Sequence, residues 1–145
     1  MAGIIAEYNP FHRGHRWQIQ TLRRLLGADA AVVAVMSGNF VQRGDFAVLE
    51  KRARAECALL GGADLVLELP SPWSAATAER FAQGGVALLA ATGVVTHLAF
   101  GCETGDLGPL AAAARCLENP GWEEAGRRHL AGGGGFSAAP RGAGP

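Results

Sequence analysis

Runs of apolar residues alternate with amphipathic stretches along the chain as far as residue 117. Continuous apolar runs are typical of strands buried on both faces, and apolar residues that recur every three or four positions are typical of helices. The predicted strands are Gly3–Ala6, Ala30–Met36, Asp64–Leu69 and Thr96–Phe100. The predicted helices are His15–Leu26, Val48–Leu60, Ser74–Ala91 (Gly84 and Gly85 being candidates for a kink) and Leu107–Leu117. This alternation predicts an α/β fold, a Rossmann-like parallel sheet with helices on both faces.

The loops that follow the strands are expected to meet. Right-handed crossovers bring the carboxyl ends of parallel strands to one edge of the sheet, where ligands of open α/β folds bind. The loops at this edge are Glu7–Gly14, Ser37–Asp45, Pro70–Trp73 and Gly101–Gly105. The sequence therefore predicts a ligand site built from these four segments.

The amino-acid composition of the chain changes after Pro120. Residues 1–120 are predicted to form the α/β domain, and Gly121–Ala131 a short amphipathic helix. Gly132–Pro145 is glycine, alanine and proline with almost no large apolar residue. Such a segment buries too little surface to offset its ordering entropy, so we expect it to be disordered.

Composition and charge exclude several classes of protein. Thirteen basic and thirteen acidic residues cancel, and 49% of the chain is hydrophobic. This excludes a disordered polyelectrolyte and a chain that binds nucleic acid by bulk charge. Residues 1–60 hold eight basic and five acidic groups, which favours an anionic ligand in this half. Three irregularly spaced cysteines, with neither a secretory signal nor a membrane-spanning run, predict free thiols and a cytoplasmic location. They are Cys57, Cys102 and Cys116.

The segment between the first strand and the first helix, Glu7–His15, holds the strongest chemical signal. A helix N-terminus attracts anions, Gly14 lets a phosphate approach the backbone, and His12 and His15 are three residues apart. Two imidazoles beside a polyphosphate could stabilise the charge that develops in adenylyl transfer. Two other interpretations stay open: a metal-ligand pair, for which zinc would need further ligands, and ordinary capping or surface histidines.

Five sequence blocks resemble the tRNA(Met) cytidine acetate ligase family, within the HIGH-motif nucleotidyltransferase superfamily. The blocks are Gly3–His15, Met36–Gly44, Lys51 to Pro70 with its GADLVLELP ending, Ala78–Gly84 and Phe100–Gly105. They occur in the family's order over residues 3 to 110, whereas other HIGH-motif transferases share only the first block. The family's helical C-terminal region has no counterpart in this chain, which suggests a truncated product or fragment.

The resemblance implies an ATP-dependent ligase that forms acetyl-adenylate from acetate and passes the acetyl group to N4 of the wobble cytidine of elongator tRNA(Met). ATP is expected as a substrate with Mg²⁺, without a protein-bound metal. His12 and His15 would be catalytic. The implied ATP-binding residues are Ile5, Ala6, Glu7, Tyr8, Asn9, Pro10, Phe11, His12, Arg13, Gly14, His15, Arg16, Trp17, Gln18 and Gly101.

Four further residues are candidates for a structural or functional role. Arg43 and Lys51, the only lysine, are candidate substrate or phosphate contacts or solvated residues. Glu68 is a candidate buried cap partner, and Trp73 is a base-stacking surface or a core residue. Two alternative functions also stay open: another adenylyltransferase acting on a small cofactor precursor, and a non-catalytic ATP-binding remnant.

Overall fold

Four parallel strands form a single sheet in a computed structural model that describes residues 1–102, 105–118, 121, 124, 127, 128 and 131. The strands are β1 (Ala2–Ala6), β2 (Val32–Ser37), β3 (Leu65–Leu69) and β4 (His97–Ala99). Their order across the sheet is β3-β2-β1-β4, with Ile4 opposite Ala34 and Ala34 opposite Val66. The predicted parallel α/β fold is confirmed.

The helices connect the strands as the alternation predicts. They are α1 (Arg13–Leu26), α2 (Lys51–Leu60), the one-turn α3 (Ser71–Ser74), α4 (Ala78–Ala91) and α5 (Leu107–Leu117), with a 3₁₀ turn at Gln42–Gly44. Strand β2 is buried along its whole length, because its alternate side chains point to two separate apolar clusters. Val32, Ala34 and Met36 join Ile19 of α1 and Ala58 of α2 in one cluster. Val33 and Val35 join Phe81 and Leu89 of α4 in the other, so helices cover both faces.

Two predicted helices begin later than the apolar pattern indicates. Helix α2 starts at Lys51 instead of Val48, because Val48 is exposed and its N–H donates to the Asn9 side chain. The stretch 74–91 is divided between the end of α3 and α4. The backbone of α4 stays helical through Gly84 and Gly85. A Cβ on Gly85 would lie 2.7 Å from Cγ2 of Ile5, so this glycine allows close packing of α4 on β1.

The chain divides into two compact units, Met1–Gly101 and Cys102–Pro145. The second unit contains α5, whose cap Asp106 accepts the N–H of Gly108. Within the predicted helix Gly121–Ala131, the five described residues are helical, and the others lie outside the described residues, as does the whole predicted tail Gly132–Pro145. The domain limit at residue 120 stays a prediction. Among the described residues, no helix combines the length and apolar character that crossing a membrane requires.

Candidate functional site

A cavity of about 500 Å³ opens at the carboxyl end of β1 in the first unit. Ten of the residues predicted to bind ATP line it: Ile5, Ala6, Glu7, Tyr8, Asn9, Pro10, His12, His15, Gln18 and Gly101. Three lining residues were not predicted: Gln42 from the second loop, Phe81 from α4 and Phe100 beside β4. Three of the four predicted loops therefore contribute walls to one cavity, and α4 adds another wall.

The other predicted ATP-binding residues lie beside this cavity. Phe11 packs against the core, and a Cβ on Gly61 would collide with its ring. Arg13, Gly14, Arg16 and Trp17 lie exposed on the first turns of α1. Their role as nucleotide contacts stays a prediction.

His12 and His15 cap the start of α1 reciprocally. The Nδ1 atom of His12 accepts the N–H of Gly14 at 3.1 Å, and Nδ1 of His15 accepts the N–H of His12 at 3.2 Å. The two rings are stacked with centroids 3.7 Å apart. The capping interpretation therefore describes these residues correctly, yet both rings also line the cavity.

These backbone contacts select one tautomer of each neutral imidazole. A ring nitrogen that accepts an N–H carries no proton, so in the neutral form the proton of each histidine lies on Nε2. Each Nε2–H is then a donor that the helix cap does not use. Two fixed donors beside a helix N-terminus can stabilise negative charge that develops on a bound anion.

Tyr8 packs against the His15 ring. Its side chain is buried, and its ring meets the His15 ring edge-on at a centroid distance of 4.8 Å. Burial raises the pKa of Tyr8 to about 12, so the phenol stays protonated at neutral pH. The rigid contact restricts the orientation of the His15 imidazole.

We expect the free energy of unfolding to fall at acid pH because His15 becomes protonated. Burial lowers the pKa of His15 below 6.5, and the charge of a protonated His12 lowers it further. The unfolded chain therefore binds this proton first, and the free energy of unfolding should fall as the pH falls below about 6.5. Chemical denaturation from pH 7.5 to 5 measures the slope.

The matched control for this prediction is His15→Gln. Glutamine at the third helical position can also accept the N–H of residue 12, but it does not titrate. The variant should show a shallower dependence of unfolding free energy on pH. An NMR titration in which His15 protonates above pH 6.5 would contradict the prediction, as would an unchanged slope in the variant.

Side chains of the first loop hold the second loop in place. The N–H of Gln42 donates to Oε1 of Glu7 at 2.8 Å, and the N–H of Val48 donates to Oδ1 of Asn9 at 2.7 Å. Both acceptors line the cavity. The shape of the cavity therefore depends on polar contacts between segments that are more than thirty residues apart in the sequence.

Arg54 is a buried residue that sequence reasoning missed. Its side chain on α2 has no exposed surface, and it donates to five acceptors at the ends of β1 and β2, in the second loop and just before α2. These are the carbonyl oxygens of Glu7, Ser37, Gly38 and Leu49 and the hydroxyl of Ser37. Burial lowers the pKa of Arg54, and the carboxylates of Glu7 and Glu68 oppose that shift. The only sequence signal is its spacing of four from Ala58, which is buried on the same helix face.

Arg43 and Lys51 do not line the cavity. Arg43 is exposed at φ 67° on the second loop, next to Gln42, which does line it. The Nζ atom of Lys51 donates to both carboxylate oxygens of Glu68 at 2.8 and 2.7 Å. Their role as substrate contacts stays a prediction. The interpretation of Glu68 as a buried cap partner is wrong, because its side chain is 48% exposed in this ion pair.

Trp73 packs on α4. A Cβ on Gly84 would lie 2.8 Å from Cβ of Trp73, and Trp73 is 40% exposed.

The described residues contain no cluster of three or more histidine, cysteine or acidic side chains that could hold a metal ion. The three cysteines are exposed free thiols in the structure.

Comparisons with known proteins place the chain in a family. The family model of the HIGH nucleotidyl transferases matches residues 1–142. The tRNA(Met) cytidine acetate ligase of Syntrophotalea carbinolica is 51% identical over 125 residues, which are 86% of this chain and 29% of the relative. That of Fervidobacterium nodosum is 48% identical over 130 residues, 88% of this chain and 30% of the relative.

A solved structure shares the fold. The crystal structure of Thermotoga maritima TmcAL bound with alpha-thio ATP superimposes with a TM-score of 0.83 at 44% identity, covering 95% of this chain and 34% of that chain. The chain thus spans about a third or less of the length of the proteins it matches. The resemblance predicted from the five sequence blocks is confirmed, and the chain belongs to the HIGH nucleotidyl transferase family.

Proposed function

We propose that this chain provides the ATP site and adenylate-forming centre of an ATP-dependent ligase that acetylates N4 of the wobble cytidine of elongator tRNA(Met). The observation that carries the proposal is that Nδ1 of His12 and Nδ1 of His15 accept backbone N–H groups, which places the proton of each neutral ring on Nε2 in a residue that lines the cavity. The names of the relatives support the tRNA substrate, and the ATP analogue in the Thermotoga protein supports the nucleotide.

The proposed reaction has two steps. An oxygen of acetate attacks the α-phosphorus of ATP, the bond from that phosphorus to the bridging oxygen breaks, and pyrophosphate leaves with the bonding electrons. The cytidine N4 then attacks the acetyl carbonyl carbon, AMP leaves, and the nitrogen loses a proton. The donors of His12 and His15 would stabilise the five-coordinate phosphorus of the first step.

The site contains an acidic side chain as well as the start of a helix. The carboxylate of Glu7, which accepts the N–H of Gln42, lines the cavity that ATP would enter. ATP would enter with Mg²⁺ as its counter-ion, since a polyphosphate is otherwise too highly charged to pack in a cavity of this size. The N–H groups of His12 and Gly14 donate to the cap, so the start of α1 would attract the phosphates mainly through its helix dipole.

Isotope exchange between pyrophosphate and ATP tests the first step without tRNA. We expect exchange that requires acetate. Exchange driven by a different small carboxylate or nucleotide precursor would favour another adenylyltransferase activity. Binding of ATP without any exchange would favour a non-catalytic remnant.

Replacing Gly14 by valine should abolish measurable ATP binding while the fold survives. A Cβ at this position would lie 2.9 Å from Cε1 and 3.1 Å from Nδ1 of His12, so any side chain must displace the imidazole from its cap position. The substitution also blocks the approach of a phosphate to the helix start. Calorimetric titration with Mg-ATP measures the loss, and circular dichroism checks the fold.

Gly108→Val is the matched control. Gly108 has the same place in α5, where its N–H donates to the cap residue Asp106 at 2.9 Å. Valine at position 108 has the same helix-propensity cost as valine at position 14, but position 108 belongs to the other compact unit. Its ATP affinity should equal that of the unmodified chain. An unchanged affinity in Gly14→Val would remove the basis for placing phosphates at this turn.

A further inference from the structure

The loop of residues 39–48 displays aromatic and aliphatic side chains to solvent beside the cavity. Phe46 is 78% exposed, Val48 is 71% exposed and Phe40 is 41% exposed. Single exposed apolar residues are common, but the rings of Phe40 and Phe46 lie together, with centroids 5.0 Å apart, and exposed apolar patches are typical of interaction sites. In the proposed adenylate chemistry this loop supplies the cavity wall at Gln42 and the candidate substrate contact Arg43, and neither uses these apolar side chains.

The backbone of this loop is held by its own hydrogen bonds. The N–H of Val41 donates to the carbonyl of Asp45, and the N–H of Ala47 donates to the carbonyl of Asn39, both at 2.9 Å. An antiparallel bridge joins Phe40 and Phe46, whose ring centroids are 5.0 Å apart. The two rings are therefore held in a fixed arrangement. Because the loop is already ordered, binding a ligand to the rings costs little conformational entropy of the protein.

The loop is continuous with the reaction cavity. Gln42 lies between the two phenylalanines in sequence and lines the cavity, and its N–H is bonded to Glu7. The N–H of Val48, two residues after Phe46, is bonded to Asn9 of the same cavity. A molecule bound on the loop would therefore lie on a segment that also forms part of the cavity wall.

The chemistry of the loop fits an unstacked RNA base. Sequence-specific and single-stranded RNA recognition uses aromatic rings and the guanidinium planes of arginine as stacking surfaces. The loop offers both, since the exposed Arg43 lies between Phe40 and Phe46 in sequence. Its charge is balanced by Asp45, so stacking rather than phosphate attraction must supply most of the affinity.

We propose that the loop of residues 39–48 is a stacking platform for an anticodon-loop base next to the cytidine that enters the cavity. Phe46 provides the main ring surface, and Arg43 contacts the flanking nucleotide. This inference rests on the proposed function, because it assigns the surface by which that site receives its RNA substrate. Stacking tolerates any base, so this surface does not distinguish elongator tRNA(Met) from other tRNAs.

The test uses a short RNA hairpin with the anticodon loop of elongator tRNA(Met) and 2-aminopurine beside the wobble cytidine. Binding of the chain should quench the fluorescence of 2-aminopurine, because stacking on an aromatic ring does so. Phe46→Leu keeps an apolar side chain but removes the ring, and it should weaken binding about tenfold. Phe46→Tyr keeps the ring and should stay within about twofold of the unmodified chain.

Two further measurements identify the type of contact. Affinity should decrease only weakly with salt, in contrast to a surface dominated by phosphate contacts. A hairpin with the anticodon loop of another tRNA should bind equally well. Quenching that is absent, or that is equal with Phe46→Leu, would overturn the proposal. So would a chain that self-associates in sedimentation experiments and loses this association with Phe46→Leu, because the surface would then be a contact between copies.

Failure of this inference is distinguishable from failure of the proposed function. Pyrophosphate exchange with acetate needs no RNA, and Phe46→Leu should leave both that exchange and ATP affinity unchanged. If exchange is absent while 2-aminopurine is quenched in a ring-dependent way, the proposed function fails and the platform stands. If exchange is present and RNA binding does not depend on Phe46, the platform fails alone.

Discussion

Replacing His12 or His15 by alanine is expected to lower the rate of acetyl-adenylate formation by about 100-fold or more, with a much smaller change in ATP affinity. Each substitution removes one positioned Nε2–H donor, and losing one such donor costs about 10²–10³ in rate. The donors act most strongly on the charge of the transition state, so binding of the ground state is little affected. Acetate-dependent pyrophosphate exchange and calorimetric titration with Mg-ATP measure the two quantities.

Because both histidines also cap α1, alanine alone does not separate catalysis from structure. His12→Asn provides the separation, since asparagine is among the best N-cap residues and its side-chain oxygen can accept the N–H of Gly14. This variant should retain the stability of the helix start and still lose the exchange activity. Normal turnover in His12→Asn would mean that the imidazole is only a cap.

Replacing Arg54 by methionine should lower the free energy of unfolding by about 3 kcal/mol or more. Methionine keeps much of the side-chain volume but leaves five buried acceptors without their donor. Each unsatisfied buried polar group costs about 1–3 kcal/mol, offset in part by relaxation and water. Arg54→Lys should also destabilise, because one ammonium cannot reproduce the planar set of donors.

Arg52→Met is the control for this second prediction. Arg52 is exposed two residues earlier on the same helix, so its loss should change stability by no more than about 0.5 kcal/mol. Urea denaturation of the three proteins at neutral pH gives the values. Equal stability of Arg54→Met and Arg52→Met would show that the buried guanidinium does not hold the two strand ends together.

The parts of the fold that the sequence predicted well are those set by local periodicity. The valine-rich run around Val33 can be buried on both faces only in a central parallel strand, and the structure places it there. The start of α2 was predicted too early because Val48 and Leu49 are apolar, although both are exposed. Val48 lies in a loop because its N–H is bonded to the distant side chain of Asn9. In the sequence, such an apolar loop residue cannot be told from the first turn of a helix.

The lining of the candidate cavity was predictable where one segment supplies it and not where distant segments meet. Glu7–His15 contributes both to the cavity wall and to the helix cap, so the cavity-lining residues of this segment could be identified from sequence alone, while their role in binding stays a prediction. The burial of Arg54 depends on carbonyl groups up to 47 residues away, which no local pattern reveals. The pairing of Lys51 with Glu68 likewise requires α2 and β3 to be packed.

The contacts that hold the second loop to the first restrict the amino acids allowed at the acceptor positions but not those allowed at the donor positions. Val48 and Gln42 contribute only backbone N–H groups to these contacts, which are accepted by Oδ1 of Asn9 and Oε1 of Glu7 respectively. As far as these bonds are concerned, any residue except proline can stand at positions 48 and 42, because the main-chain donor is common to all the others. The acceptors Asn9 and Glu7 have no such freedom, since the accepting atoms belong to their side chains. The shape of the cavity mouth is therefore encoded by a few amide and carboxylate positions, and substitutions can accumulate opposite them without altering it.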